Sequence, residues 1–191
     1  MLTYRIEYDQ EPCNPRTEWD NLGTIVYAHR RSNLGDIDAT EDYPDANSWE
    51  DIERAIEREN GPCVILPVYC YEHGGITIRT GPFNCPWDSG RVGAIYVPRT
   101  KILRLWGKKR LTKALRAKAR EVLEGEIKTF AQFLEGEVYG YVIEDPEGNC
   151  IESCWGFYGR DCCETAAKEA LAYAMQSWNP VDAEETEETL A

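Results

Sequence analysis

Alternation of apolar and polar residues predicts strands near both ends of the chain. Residues 2–8 alternate with a period of two, which is typical of a strand with one face in solvent. Two apolar-rich segments, 138–145 and 150–157, flank the sequence Pro-Glu-Gly-Asn at 146–149. Because proline, glycine and asparagine favour tight turns, this region is predicted to form a β-hairpin.

A second hairpin is predicted in the middle of the chain. The apolar segments 63–71 and 76–80 flank Glu-His-Gly-Gly at 72–75, whose glycines accept the left-handed backbone angles of a tight turn. A short apolar stretch lies at 24–27, and residues 92–97 predict a further strand. The middle of the chain is therefore expected to contribute strands to a sheet.

Helical spacing of apolar residues predicts three helices. The first covers 48–59, beginning at a capping serine and ending at a Gly-Pro pair. The second is long, with apolar residues at helical spacing throughout 111–134. The third begins with a capping box formed by Asp161 and Glu164, and its buried face is expected to include Met175.

The order of these elements predicts an α+β fold. Strands and helices do not alternate regularly, so a doubly wound parallel sheet is excluded. We expect antiparallel hairpins that form a mixed or antiparallel sheet, with at least three helices packed on it, in a single domain over residues 1–178. The acidic stretch 36–47 is predicted to be a solvated connection, and residues 179–191 an acidic, disordered tail.

Charge is distributed unevenly along the 191 residues. The formal net charge is −13 at pH 7, yet residues 98–120 carry ten basic residues and no acidic residue. Residues 1–60 and 121–191 are acidic, with net charges of −9 and −14. The sequence thus describes an acidic protein with one concentrated basic segment, and its acidic surfaces are numerous enough to imitate a phosphate backbone.

The eight cysteines are expected to be mostly buried thiols. No basic-then-apolar leader and no apolar run of about 18 residues is present, which predicts a cytoplasmic protein without a membrane span. Disulfides are rare in that compartment, and the paired Cys-x2-Cys or His-x3-His spacing of zinc sites is missing. The spacing closest to a metal site is that of Cys150, Cys154, Cys162 and Cys163. The sequence therefore predicts neither a metal site nor a cofactor.

Loops rich in tryptophan form the candidate binding surface. The sequence CPWDSG at 85–90 lies between two predicted strands, where a scaffold can fix functional side chains. The same residue types also form purely structural turns, and the loop at 17–21 has the same character. The candidate binding residues are Trp19, Asp20, Asn21, His73, Trp87, Asp88, Ser89, Trp155 and Tyr158.

Enzymatic chemistry finds limited support in the sequence. His29 and His73 are the only histidines, so a mechanism with a histidine base must use one of them. Pairing of either with a cysteine, Asp20 or Asp88 would give a nucleophile and base. Phosphate-binding loops, dinucleotide-binding glycines and the common hydrolase motifs are missing. The sequence favours a protein that is not an enzyme and names no catalytic residue.

The basic segment has two interpretations. It could bind phosphates with a steep salt dependence, or it could lie across the protein's own acidic lobes, which is the interpretation that the net charge favours. Glu126-Ile127-Lys128 resembles the acid-x-Lys part of metal-dependent nucleases, but its helical spacing predicts a solvated helix face. The candidate nucleic-acid-binding residues within the basic 99–120 segment are Lys108, Lys109, Arg110, Lys113 and Arg116.

Three longer motifs resemble a family of small proteins encoded by bacteriophages, prophages and other mobile elements. They are WDNLGT within 18–36, CPWDSG-x-VG-x-IYV within 64–97, and SCWGFYG within 139–159. The resemblance covers residues 15–175. It implies an origin in a mobile element, with a location in the host cytoplasm, and it implies no assigned catalytic activity.

Origin and charge together suggest a function. We expect an accessory protein that binds a host protein or nucleoprotein complex through acidic, DNA-mimic-like surfaces and inhibits a host defence system such as restriction or CRISPR. An alternative is a nucleotide-binding or nucleic-acid-binding protein that uses the basic segment. A second alternative is a hydrolase or nuclease that depends on Cys, His and Asp.

Overall fold

The computed structural model describes residues 1–177, which contain eight strands and five helices. The strands are β1 (Thr3–Tyr8), β2 (Thr24–Tyr27), β3 (Ile37–Asp38), β4 (Cys63–Glu72), β5 (Ile76–Arg79), β6 (Ser89–Pro98), β7 (Val138–Glu144) and β8 (Cys150–Tyr158). The helices are α1 (Ala39–Asp42), α2 (Trp49–Asn60), α3 (Arg99–Leu105), α4 (Lys113–Leu134) and α5 (Arg160–Ser177). The predicted α+β class is confirmed. The tail predicted at 179–191 lies outside the described residues.

Contacts divide the chain into two compact units. The central unit comprises residues 13–135, and the terminal unit comprises residues 1–12 together with the described residues from 136 onward. The prediction of a single domain over 1–178 stays a prediction. Among the described helices, none has the combined length and apolar character that crossing a membrane requires.

A five-stranded sheet forms the middle layer of the central unit, in the order β3-β2-β6-β4-β5. Its pairs are antiparallel except for the short parallel pair of β2 and β3. Alternate residues of β4 and β6 face opposite sides of this sheet, because side chains alternate along a strand. Helix α4 packs on one side through Leu123 and Ile127, and α2 packs on the other through Ile52 and Ile56.

Local sequence signals fix the ends of the two packed helices. Ser48 caps α2 by accepting a hydrogen bond from the Asp51 backbone N–H, and Gly61 ends the helix with a φ of 73°. Thr112 caps α4 in the same way through Leu115. An N-terminal cap of this type typically contributes about 1 kcal/mol. The helix predicted over 48–59 is confirmed within one residue.

The stretch predicted as a solvated connection at 36–47 is partly ordered. Ile37 and Asp38 form β3, and Asp38 then caps α1 by accepting a hydrogen bond from Thr40. The buried Ala39 packs with α2. The acidic composition predicts solvent exposure, but four apolar residues within the stretch pack in the core: Ile37, Ala39, Tyr43 and Ala46.

The terminal unit is a three-stranded antiparallel sheet in the order β1-β7-β8, with α5 on one face. Strand β7 is central, and its Tyr139, Tyr141 and Ile143 pack against Cys163 and Ala167 of α5. Burial and the hydrogen bond that Tyr141 donates to Glu152 raise the pKa of Tyr141 to about 12. Strand β7 of the predicted hairpin therefore forms the core of this unit together with α5.

Two details of the last helix differ from the prediction. Helix α5 begins at Arg160, so Asp161 is already a helical residue, and Glu164 pairs with Arg160 instead of closing a capping box. Met175 is half exposed instead of buried. The buried face passes through Cys163, Ala167 and Ala174, which are small enough for close approach to the sheet.

The turn between β7 and β8 is organised by one carboxylate. Asp145 accepts hydrogen bonds from the backbone N–H groups of Glu147 and Asn149 and from the Asn149 side chain. These bonds, led by that from the Asn149 side chain, lower the pKa of Asp145 below its ordinary value.

The lowered pKa predicts an acid-dependent contribution to stability. A carboxylate with a depressed folded pKa stabilises the protein fully above its unfolded pKa of about 3.9, and this contribution is lost as pH falls through the folded pKa. We expect Asp145→Ala to lower the free energy of unfolding at pH 7, with a smaller loss below pH ~3.9. Urea titrations of both proteins at the two pH values measure the difference, and an equal loss at both would contradict the assignment.

The cysteines do not follow the expectation of mostly buried thiols. Four are exposed, one is half-buried and three are buried. Burial raises the pKa of Cys63 and Cys163 to about 11, with nearby carboxylates or thiols adding to the shift. A raised pKa lowers the thiolate fraction at a given pH, and the thiolate is the reactive form. The exposed cysteines are Cys13, Cys150, Cys154 and Cys162.

Brief alkylation therefore has a defined expected pattern. At pH 8 and in the native state, iodoacetamide should label the four exposed thiols, while Cys63 and Cys163 should react only after denaturation. Peptide mass spectrometry after short exposure measures each site. Rapid native labelling of Cys163 would contradict the packing of α5 on its sheet.

Candidate functional site

A cavity of about 600 Å³ lies at one end of the central sheet. It forms where the chain leaves β2, where the β4–β5 hairpin turns, and where the loop before β6 returns to the sheet. Its lining residues are His29, Arg31, Cys70, Glu72, His73, Gly74, Trp87, Asp88, Ser89, Gly90 and Val92. Four predicted binding residues, His73, Trp87, Asp88 and Ser89, thus line one cavity, which we call the hairpin-end cavity.

The hairpin turn and the following loop meet through His73 and Asp88. Nδ1 of His73 lies 3.3 Å from Oδ2 of Asp88, and the thiol of Cys85 lies 3.6 Å from the same oxygen. The Glu72 backbone N–H donates to the Asp88 carbonyl at 2.9 Å, which fixes the two segments to each other. In the neutral tautomer with the proton on Nδ1, His73 has an unprotonated Nε2 that can accept a hydrogen bond.

His29 also lines the hairpin-end cavity, but its hydrogen bonds favour the other neutral tautomer. Its Nδ1 accepts a hydrogen bond from the Ser32 backbone N–H at 3.2 Å, so the ring proton of the neutral form lies on Nε2. That nitrogen lies 3.5 Å from Oε2 of Glu72, and Arg31 binds Oε1 of Glu72 at 2.8 Å. Glu72 is therefore enclosed by a histidine and a guanidinium, and His29 positions it.

Trp87 stands at the mouth of the cavity with 91% of its surface exposed. The loop that carries it is braced by aromatic contacts, because Tyr71 packs on Phe83 at 5.6 Å and Arg79 lies over the Phe83 ring at 3.9 Å. Ser89 donates a hydrogen bond to the Cys85 carbonyl, which closes the turn. The loop is thus held in place while its indole faces solvent.

The second tryptophan loop lies outside this cavity. The side chain of Asn21 donates to the carbonyls of Pro15 and Trp19 at 2.7 and 2.9 Å, and Lys101 donates to the Asn21 carbonyl. Asn21 therefore has a structural role in its own loop. Trp19 and Asp20 are exposed, and neither lines the hairpin-end cavity.

Trp155 and Tyr158 belong to the terminal unit and lie in strand β8, not in a loop. The indole of Trp155 covers the backbone of Gly140 on β7, at a position where a side chain would collide with the ring. β8 is an edge strand whose residues are mostly exposed, and Ile151 is among the exposed apolar residues. Trp155 therefore has a packing role in addition to its exposed surface.

A buried ionic cluster in the central unit was not anticipated from the sequence. The Arg16 side chain is only 4% exposed; its Nε lies 3.1 Å from Asp36, and Nη1 lies 3.0 Å from Glu126. Glu126 also accepts hydrogen bonds from the backbone N–H groups of Leu22 and Gly23. The prediction of a solvated helix face at Glu126 is wrong, because this carboxylate anchors the WDNLG loop to α4.

The basic segment is solvent-exposed. Nine of its cationic side chains are exposed, and we call them the basic surface: Arg99, Arg104, Lys108, Lys109, Arg110, Lys113, Arg116, Lys118 and Arg120. Within residues 1–177, none of them forms an ion pair with a carboxylate. Internal compensation by direct ion pairs is thus not found among the described residues.

Two members of the basic surface face acidic neighbours at longer range. Arg116 and Arg120 share a groove with Glu50, Glu53 and Glu57 of α2, along the part of β4 that lies beyond its pairing with β5. The other seven are not part of that groove. The acidic residues of α2 therefore lie near only part of the basic surface. The segment around Lys108 is the most strongly cationic part of the chain.

Comparisons with known proteins add no assignment. Scans against protein-family models, curated proteins and solved structures each found no match to this chain. Within the described residues, no three His, Cys, Asp or Glu side chains are grouped so that they could hold a metal ion.

Proposed function

We propose that this protein binds nucleic acid through the basic surface. The observation that carries the proposal is the set of nine exposed cationic side chains with no carboxylate partner among the described residues. Phosphate neutralisation by such residues releases counterions and supplies most of non-specific nucleic-acid affinity. These cationic side chains are concentrated in one segment, although the whole chain carries a net charge of −13.

The placement of the bases on α4 supports a functional role. Lys113 and Arg116 lie at the N-terminal end of the helix, whose first turn contains no acidic residue. This end of a helix carries partial positive charge, so cations there reduce helix stability by some tenths of a kcal/mol each. An unfavourable arrangement of this kind is expected where the combined positive potential serves an anionic ligand.

A charge-reversal variant tests the proposal. We expect the triple variant Lys108→Glu, Lys109→Glu, Arg110→Glu to weaken binding of a labelled 20-mer, and to reduce the salt slope of log K by about one for each lost phosphate contact. Fluorescence anisotropy with single-stranded and duplex DNA and RNA, at several salt concentrations, measures both quantities. No binding by the unaltered protein at low salt would overturn the proposal.

A matched control separates position from total charge. The triple variant Arg58→Glu, Lys128→Glu, Lys168→Glu changes the net charge by the same amount, and all three residues are exposed and lie outside the basic surface. It should keep most of the affinity. Equal losses in the two triple variants would show a general charge effect and would contradict a localised nucleic-acid site.

The second candidate is the accessory role in a mobile element, with inhibition of a host defence system in the host cytoplasm. The observation that favours it is the exposure of β8, an edge strand that presents Ile151 and Trp155 to solvent. An edge strand has backbone N–H and C=O groups that are not paired within the sheet. An extended segment of a host protein can hydrogen-bond to them and so add a strand to the sheet. The resemblance of the WDNLGT, CPWDSG and SCWGFYG motifs supports the mobile-element origin.

A pull-down with edge variants tests this second candidate. Ile151→Lys should remove a stoichiometric, nuclease-resistant partner from bacterial lysate, since charged residues on an edge prevent strand addition. Met175→Lys, at a half-exposed apolar position of α5, should retain it. Retention of the partner by both variants would exclude β8 as the contact.

A further inference from the structure

We propose that the hairpin-end cavity binds the guanine base of a nucleotide. This inference rests on the proposed nucleic-acid function and assigns it a second, base-specific contact. The cavity joins a flat exposed indole, Trp87, to the carboxylates of Asp88 and Glu72, with the Arg31 guanidinium on the same lining. Its volume of about 600 Å³ lies in the range of small-molecule sites.

The hydrogen-bonding character of the lining favours a ligand rich in donors. Oδ2 of Asp88 faces His73 and Cys85, whereas Oδ1 accepts no hydrogen bond from the described residues. With its proton on Nδ1, His73 offers an acceptor at Nε2. The hydroxyl of Ser89 is already used as a donor to Cys85. The atoms of this part of the lining that remain available to hydrogen-bond a ligand are therefore mainly acceptors.

Charge narrows the choice of ligand further. A free phosphate would be repelled by the carboxylates of Asp88 and Glu72. A free cation would be repelled by the guanidinium of Arg31, whose side chain is 75% exposed. A neutral aromatic ring with donors on one edge and a phosphate at some distance avoids both conflicts. Guanine has this form, because its N1–H and N2 amino group are adjacent donors whose hydrogen bonds Oδ1 of Asp88 can accept.

The aromatic contact is the other half of the site. Base stacking on an aromatic side chain contributes without hydrogen bonds and tolerates any base, so Trp87 supplies affinity and Asp88 supplies selectivity. Glu72 remains positioned by His29 and Arg31 beside them. In this arrangement Trp87 stacks on the base, Asp88 binds its Watson–Crick edge, and Arg31 faces the phosphate.

The cavity and the basic surface lie at opposite ends of β6. Ser89 and Gly90 begin the strand at the cavity, and Arg99 follows its last residue. A ten-residue strand extends over about 33 Å, which separates the two sites by several nucleotides. The same base chemistry could come from a free nucleotide or from a single-stranded chain that reaches both sites.

Calorimetric titration with GMP, IMP, AMP and UMP tests the assignment. We expect GMP to bind about tenfold more tightly than AMP or UMP, with IMP between them because it lacks the amino group. Asp88→Asn should remove this preference, and Trp87→Ala should weaken all four nucleotides. The matched controls Asp20→Asn and Trp19→Ala, at exposed positions outside the cavity, should leave the titrations unchanged.

Two further arms identify the source of the base and separate the two proposals. If the RNA pentamer UUGUU binds more tightly than both UUAUU and GMP, the natural ligand is a guanine within a single-stranded chain. If GMP binds more tightly than UUGUU, the natural ligand is a free nucleotide. The charge-reversal variant of the basic surface should keep its GMP affinity. Equal binding of GMP and AMP, or no binding of either at millimolar concentration, would overturn the guanine site even if the basic surface binds nucleic acid.

Discussion

Replacement of Arg16 by methionine is expected to lower the free energy of unfolding by about 3–5 kcal/mol. For a chain of this size the melting temperature should fall by about 10 °C. The reason is that Arg16 is buried between Asp36 and Glu126. Removal of the guanidinium leaves two poorly solvated carboxylates facing each other without a cation, and such a change costs more than the loss of the pair itself.

The matched variants make this prediction specific. Arg16→Lys keeps the charge but cannot bind two carboxylates with a planar fork, so an intermediate loss is expected. Arg54→Met removes an arginine from an exposed pair with Asp51, which should cost less than about 1 kcal/mol. Thermal and urea unfolding measure all three variants. A loss for Arg16→Met no larger than for Arg54→Met would show that the buried cluster is not stabilising.

Replacement of Gly140 by alanine is expected to destabilise the terminal unit by about 1–3 kcal/mol. A Cβ atom at this position would lie 2.1–2.8 Å from three atoms of the Trp155 ring, too close for any adjustment without a shift of the indole. Both residues lie in the paired strands β7 and β8. The change should also raise the exposure of Trp155, which acrylamide quenching of tryptophan fluorescence measures.

A double-mutant cycle identifies the cause of that loss. In a Trp155→Ala background there is no ring for the new methyl group to meet, so Gly140→Ala should cost less than about 1 kcal/mol. The double variant should therefore lose clearly less stability than the sum of the losses in the two single variants. Additive losses would instead attribute the effect of Gly140→Ala to strand geometry alone.

Local structure was predictable because it depends on residues close in sequence. The glycines of the 72–75 turn, the serine before α2 and the turn residues at 146–149 each favour one backbone conformation. The 72–75 and 146–149 turns accordingly connect paired antiparallel strands. Four of the eleven residues that line the cavity are predicted in the same way, because His73 lies in the hairpin turn and Trp87, Asp88 and Ser89 lie in the segment that leads into β6.

The remaining parts of the site depend on contacts that no local pattern encodes. Arg16 and Glu126 are 110 residues apart, and the helical spacing around Glu126 is the same for a solvated and for a buried carboxylate. His29 reaches Glu72 only because β2 and β4 both pair with β6. The acidic composition predicts a solvated stretch from Asp36 onward, although Asp36 accepts a hydrogen bond from the Ile25 backbone N–H and binds Arg16.

The pairing of β1 with β7 has a consequence for the order of folding during synthesis. Tyr8 lies opposite Tyr139, so the first strand must wait for the translation of about 130 further residues before its partner exists. At about 5–20 residues per second this delay is roughly 7–26 s. The whole central unit, residues 13–135, is synthesised within that interval. We therefore expect the nascent chain to hold a folded middle while its first strand is still unpaired and open to chaperones.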